Sequence, residues 1–315
     1  MPSVGKTRTS QLSSIAKTVL NNSWRDKTKK QYTSYLSKWT KFCLQTEIDP
    51  NTATTVDGVN FLASLVDSKL SYSAINCARS CLSNVLPMEN GATFGNQPMV
   101  KRLLKGAFNI LPPSQKVKTI WDVNTVLDYL NSLPENSTLS LKLLTWKFTT
   151  LLALGSAQRV QTLKALHIDN MTITEEKIMF TITSLIKQSR PNYLPSPIVL
   201  VKNVDNLSLC LFNLAKLYLS KTEKLRSNQK QLLISFQKPY APVSTDTISR
   251  WIKTILQNSG INTSLYGAHS VRSASTTSAF NKHLDINTIL NTAGWTNVKT
   301  FQRFYLKPIS SDNNG

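Results

Sequence analysis

The chain has 315 residues, 41% of them hydrophobic and 17% charged, which excludes a disordered polymer and leaves room for two domains with sizeable cores. Lys and Arg number 37 against 17 acidic residues, a net charge of +20. The excess is shared, with 14 basic and 6 acidic side chains in residues 1–112 and 23 and 11 in the rest. This favours a long polyanion as partner, because each neutralised phosphate releases counterions.

Residues 1–9 are polar and are expected to be loose. Helical periodicity starts near Ser10, with Leu12, Ile15, Val19 and Leu20 on one stripe. A second helix is predicted over Asp26–Gln45, where Tyr32, Tyr35, Leu36, Trp39, Phe42 and Cys43 recur at three- and four-residue intervals. Lys27, Lys30, Lys38 and Lys41 fall away from that stripe, and Lys27-Thr28-Lys29-Lys30 doubles as a weak nuclear signal. Further helices are predicted over Val56–Val66, capped by Thr54 or Thr55, over Ser73–Leu86 and over Pro98–Ile110. Together they make a compact all-α first domain, residues 1–110. Leu111-Pro112-Pro113 stops the last helix, and residues 111–118 read as a linker.

The second domain, residues 119–315, opens with helices over Trp121–Leu133 and Thr138–Leu154. The latter is apolar on most of its circumference, as a central buried helix should be, with Gly155 as its natural C-cap. Ile173–Ile186 and Tyr193–Val201 alternate like strands, the second confined to an edge by Pro191, Pro195 and Pro197. A helix over Leu207–Arg226, a strand over Leu232–Phe236 and a helix over Thr245–Asn258 capped by Thr245 or Asp246 follow. Helices over Val271–Asn281, Ile286–Thr292 and Lys299–Tyr305 close the chain, so the fold class is mainly α with a small antiparallel sheet in the second domain.

Cys43, Cys77, Cys81 and Cys210 show no C-x-x-C spacing and are expected to be reduced in an intracellular protein. No amino-terminal apolar leader and no apolar run near ~18 residues suggests a signal peptide or membrane span. Carboxylate clusters for two metals, H-E-x-x-H, a Cys/His quartet and a glycine-rich nucleotide fingerprint are all missing. No metal or cofactor is expected.

The chemistry concentrates in the last fifth. His269 and Arg272 are three apart on one helix face, Gly294-Trp295 follows, and Phe301-Gln302-Arg303-Phe304-Tyr305 comes next. A guanidinium fork makes two charge-assisted bonds to phosphate oxygens, and a nearby phenol can serve as nucleophile. Upstream, Arg159 follows the buried helix within Leu154-Gly155-Ser156-Ala157-Gln158-Arg159-Val160. In order and spacing these boxes resemble those of the tyrosine recombinases, the phage-integrase family. The wording Ala293-Gly294-Trp295-Thr296-Asn297 with Phe301–Pro308 is similar to recombinases of eukaryotic mobile elements, the DIRS-like retroelements and Cryptons.

The resemblance implies a helical core-binding domain and a mixed catalytic domain that cut and rejoin double-stranded DNA through a 3′-phosphotyrosyl intermediate. It implies four protomers on two duplexes, in a nuclear protein, with the carboxy-terminal segment able to pack on a neighbour. By the same resemblance Tyr305 is the nucleophile, and Arg159, Arg272, His269 and Trp295 surround the phosphate. Lys187, or else Lys177 or Arg190, is the general acid. His269 either donates to the phosphate or takes the tyrosine proton, whereas the indole of Trp295 can only donate. Two departures stand out. Thr162 occupies the position three after Arg159 where the family has an acid, and ten residues separate Trp295 from Tyr305, one more than in many members. The alternatives are a type IB topoisomerase and a domesticated, non-catalytic DNA-binding protein.

Overall fold

The computed structural model describes residues 12–113, 118–192 and 195–310. The chain divides into two compact units at 116/117. That point falls inside the proline-led stretch expected to link two domains, of which residues 114–117 lie outside the described residues.

The first unit contains α1 (Ser14–Asn21), α2 (Asp26–Gln45), α3 (Thr55–Asp67), α4 (Tyr72–Leu82) and α5 (Pro98–Ile110) among its described residues. The aromatic stripe of α2 turns inward: Trp39 packs edge-on to Phe61 of α3 at 5.3 Å between ring centroids, and Cys43 is buried beside them. Lys27, Lys30, Lys38 and Lys41 stand exposed. Helix α3 starts in a full capping box, with Thr54 and Asp57 exchanging side-chain-to-backbone bonds. Gly58 lets Phe94 close against the helix, because a Cβ there would collide with the Phe94 ring. Helix α1 buries none of its residues, so the stripe of Ile15, Val19 and Leu20 faces outward and not into this core.

The second unit is built around α7 (Leu141–Ser156), preceded by α6 (Val123–Asn131) and followed by the short α8 (Val160–Lys164). Ser140 caps α7, and most of its residues are buried, as its all-round apolar sequence requires. Helices α9 (Leu211–Thr222), α10 (Thr245–Asn258) and α11 (Ser270–Asn281) pack against it. Phe148 of α7 lies 5.1 Å from Tyr218 of α9, both fully buried, and truncating such a ring to Ala costs about 3–5 kcal/mol. Two helices, α12 (Ile286–Ala293) and α13 (Val298–Phe304), complete the unit.

The sheet is three-stranded and antiparallel: β1 (Met171–Ile173), β2 (Lys177–Phe180) and β3 (Ile198–Val201), in that order. Met171 pairs with Phe180, and Lys177 with Val201. Ile178, Phe180, Ile198 and Leu200 point into the core with the two-residue period of strands.

Several expectations need correction. The alternating stretch 173–186 is broken by a turn at 174–176 and leaves the sheet after Phe180, where the Thr181 amide bonds Asn170 and not a neighbouring strand. The last strand begins only after Pro197, the prolines having removed ladder donors; residues 193–194 lie outside the described residues. Leu232–Phe236 makes one isolated bridge, Ile234 to Pro242, in place of a strand, its Leu232 amide bonded to the Leu166 carbonyl. The 207–226 helix starts at Leu211 and tightens to a 3₁₀ turn from Glu223. Ser244, one residue earlier than expected, caps α10. Gly155 is not the C-cap: α7 runs through it and ends at Ala157, which takes the left-handed conformation at φ 50°. Instead, Gly155 sits close to the Leu211 side chain.

Among the described residues no helix is long and apolar enough to cross a membrane, and no group of three or more His, Cys, Asp or Glu could hold a metal ion.

Candidate active site

Three helix ends meet around Tyr305. The first is the C-terminus of α7. Ala157 accepts a left-handed backbone that costs a residue with a Cβ about 1–2 kcal/mol. The turn is clamped by Gln158, whose amide donates to the Thr292 carbonyl at 2.6 Å. Arg159 follows at once as the residue before α8.

The second end is the N-terminus of α11, with His269 as its first flanking residue. Its start is tied to the beginning of the unit by a bond from Trp121 Nε1 to Ser270 Oγ, 2.8 Å. Arg272, one turn in, is 1% exposed. Its Nη1 donates to the Ala157 carbonyl at 2.8 Å and its Nη2 to the Ala293 carbonyl at 2.7 Å. Both carbonyls end helices, where the aligned peptide dipoles leave negative partial charge, so two helix ends compensate one buried guanidinium. Thr162, three after Arg159 where the family has an acid, is buried and brings no carboxylate.

The third end is the C-terminus of α12, where Gly294 turns left-handed at φ 67° and delivers Trp295. The indole stacks on Phe301 and lies 4.3 Å from the Tyr305 ring. The Arg272 guanidinium carbon sits 4.2 Å from the Trp295 ring centre and 5.3 Å from that of Tyr305, within cation–π range. The His269 and Tyr305 rings are 6.2 Å apart. Tyr305 itself is fixed by its backbone: Ser273 and Thr277, one turn apart on α11, both donate to its carbonyl.

Beyond Tyr305 the chain stays with its own unit. Ile120 donates to the Pro308 carbonyl at 2.9 Å, Ser310 donates to the Ile120 carbonyl at 2.7 Å, and Ile120 and Ile309 form a parallel bridge. Residues 308–310 thus pair with Ile120 of the second unit; residues 311–315 lie outside the described residues.

The electrostatics are one-sided. Burial, then the charges of Arg272, Arg159, Lys187 and Lys307, hold the His269 imidazole below its ordinary range. It is therefore neutral at pH 7 and has a lone pair to offer. Arg272 is lowered to about 10 by burial and by Arg159, and is still a cation. Three buried N–H donors in this cluster have no hydrogen-bond partner: Arg159 Nη1, Arg272 Nε and Trp295 Nε1. Gln158 Oε1 is the one acceptor of the cluster left in that state. Leaving a buried donor unmade costs about 1–3 kcal/mol, a cost that an anion accepting from all three would remove.

Of the residues the sequence singled out, Arg159, His269, Arg272, Trp295 and Tyr305 come together here. Lys187 stands exposed on a turn between β2 and β3, close enough for its charge to act on His269. Neither Lys177, on β2, nor Arg190 is among the charges acting on that imidazole. His167, bridged to Gln231, and the exposed His283 take no part. Sequence reasoning missed Gln158, Gln188, Lys307 and the pair Ser273 and Thr277. Only that pair left a signal, falling one turn apart on the helix that begins at the His269 box.

The model of the phage integrase family matches residues 121–309. None of the curated proteins matches the chain. Among solved structures, the post-cleavage complex of the XerH site-specific recombinase bound to palindromic difH substrate is similar at 16% identity, covering 90% of this chain and 76% of that one, with a TM-score of 0.59. A lambda integrase dimer bound to a COC′ core site is 14% identical, covers 95% of both chains and has a TM-score of 0.53. A lambda integrase tetramer bound to a Holliday junction is 15% identical, covering 93% of this chain and 75% of that one, with a TM-score of 0.52. At these identities the likeness is one of fold.

Proposed function

Because the chain belongs to the phage integrase family, we propose that it cuts and rejoins double-stranded DNA through Tyr305. The observation that carries this is the group of three buried, unpartnered N–H donors beside that ring. A scissile phosphate placed there meets Arg159 Nη1, Arg272 Nε and Trp295 Nε1, donors already oriented before charge builds up on the phosphorane.

The neutral His269 takes the proton from the Tyr305 hydroxyl. The phenolate oxygen attacks phosphorus, the bond to the 5′ oxygen breaks, and a 3′-phosphotyrosyl link forms. Lys187 gives its proton to the departing 5′ oxygen, so a free hydroxyl leaves. Rejoining runs these steps backward with a 5′ hydroxyl of another strand as attacker. The bond energy stays in the covalent link, so no energy cofactor is called on.

The exposed lysines of α2 suit the first unit to the duplex backbone, in keeping with a charge excess present in both halves. Solved relatives include a tetramer on a Holliday junction, and assembly of four copies on two duplexes follows for this chain as part of the same proposal. Its place in a eukaryotic mobile element, and hence in a nucleus, rests on the wording from Ala293 to Pro308.

A suicide DNA substrate tests the reading. A covalent adduct that disappears in Tyr305→Phe, with DNA binding retained, is the expected result. Gel shifts without an adduct point instead to a non-catalytic DNA-binding protein, and relaxation of supercoils without sequence preference to a topoisomerase.

A further inference from the structure

Between Phe180 at the end of β2 and Ile198 at the start of β3 the described chain forms no strand, and Lys187 sits in that stretch. An exposed lysine on such a segment has no fixed place unless something holds the segment down. On one side the anchor is Ile186, 1% exposed, with the turn closed by the Ser189 amide on the Ile186 carbonyl and the Ile186 amide on Ser189 Oγ, both 2.9 Å. On the other side it is Gln188, whose Nε2 donates to the Gly294 carbonyl at 2.6 Å and reaches the Ala293 carbonyl at 3.4 Å. Both partners are acceptors, so the amide must present its NH₂ and not its oxygen.

The Ala293 carbonyl is the one that also receives Arg272 Nη2. One helix end thus binds the guanidinium of the phosphate cradle and the side chain next to Lys187. Gly294 makes this possible twice over. Its left-handed φ suits a residue without a Cβ, and a Cβ there would come 2.6 Å from Gln188 Nε2.

We propose that Gln188 is a positioning residue for Lys187: it latches the lysine's turn to the end of α12, and so sets the general acid against the same phosphate that Arg272 holds. The proposal rests on the reading of Lys187 as general acid, and the test separates the two. The probe is a DNA substrate whose scissile 5′ oxygen is replaced by sulfur, a leaving group that needs no proton. Wild type, Lys187→Ala and Gln188→Ala are compared on the ordinary and the sulfur substrate in single-turnover cleavage.

Gln188→Ala is expected to cleave the ordinary phosphodiester at least about tenfold more slowly and to return to the wild-type rate on sulfur, alongside Lys187→Ala. Recovery on sulfur also shows that the variant is folded. If Gln188→Ala matches wild type on the ordinary substrate, or is equally slow on both, the latch is refuted while the general acid stands. If Lys187→Ala fails to recover on sulfur, the general-acid reading falls and the latch with it.

Discussion

The middle of α7 and the turn that ends it each lie beside a buried cation, and the two are housed differently. Lys147 is fully buried, its ammonium donating to Ser208 Oγ at 3.1 Å, and burial pulls its pKa down to about 8. Arg272 donates to two helix-end carbonyls, lies over two aromatic rings, and still has its Nε–H without a partner. The atoms left without partners along the body of α7 are a Trp146 N–H and the hydroxyls of Thr149 and Thr150. Around the turn they are three N–H donors, two of them on guanidiniums, and the side-chain oxygen of Gln158. Unmet hydrogen-bonding capacity does not by itself distinguish a site from a tightly packed core. What distinguishes the turn is a gathering of N–H donors, two of them cationic, beside the Tyr305 ring.

The largest effect expected from breaking this contrast is at Arg272. Arg272→Lys retains the charge but loses the fork that spans Ala157 and Ala293, and single-turnover cleavage should fall by about 10²–10³. A loss below tenfold would make Arg272 a packing residue like Lys147. Trp295→Phe isolates the donor: the ring stays on Phe301 while the N–H is lost, and cleavage should drop by about tenfold with the melting temperature little changed. A fall in stability without a fall in rate would assign the indole to the core.

His269 gives a pH test. Its pKa is held below the ordinary 6.5, and the imidazole accepts the tyrosine proton only when neutral. Cleavage should therefore hold from pH 8 down to about 6.5 and decline only in more acid solution, and His269→Gln should flatten that decline. A decline already under way at pH 7.5 contradicts the assignment.

The smallest expected effect on activity is at Lys147. Its folded pKa lies below the 10.5 of the free side chain, so between about 8 and 10.5 the unfolded chain binds the extra proton and stability rises with pH. Below that window the buried charge is a constant penalty. Lys147→Met should leave cleavage unchanged, raise stability at pH 7 by about 1–2 kcal/mol and remove the alkaline rise, as followed by denaturant titration.

Much of this was legible in the sequence, because helix periodicity and spaced polar boxes are local properties. The buried helix ahead of Arg159, the shared face of His269 and Arg272, and the prolines near the unit boundary could be read residue by residue. What holds the boxes together could not. The two carbonyls that receive Arg272 are backbone atoms, identical at every position, and they are aimed by a left-handed alanine at 157 where the sequence pointed to Gly155. Nothing in the sequence around Gln188 points to its partner, which lies over a hundred residues away. Alternation persists past Phe180 and so predicts strands longer than the ladder, which depends on amides whose diversion the sequence does not show.

The central claim of the proposal is that Tyr305 attacks a phosphate held by its own chain, for which the 4.3 Å contact between Tyr305 and Trp295 is the support. Mixing Tyr305→Phe protein with Arg272→Ala protein on a suicide substrate tests it most directly. Neither protein alone should form an adduct, and the account expects the mixture to form none either, since no chain then carries both parts. An adduct restored on the Arg272→Ala chain would mean that the tyrosine attacks a phosphate held by another copy, and would contradict it.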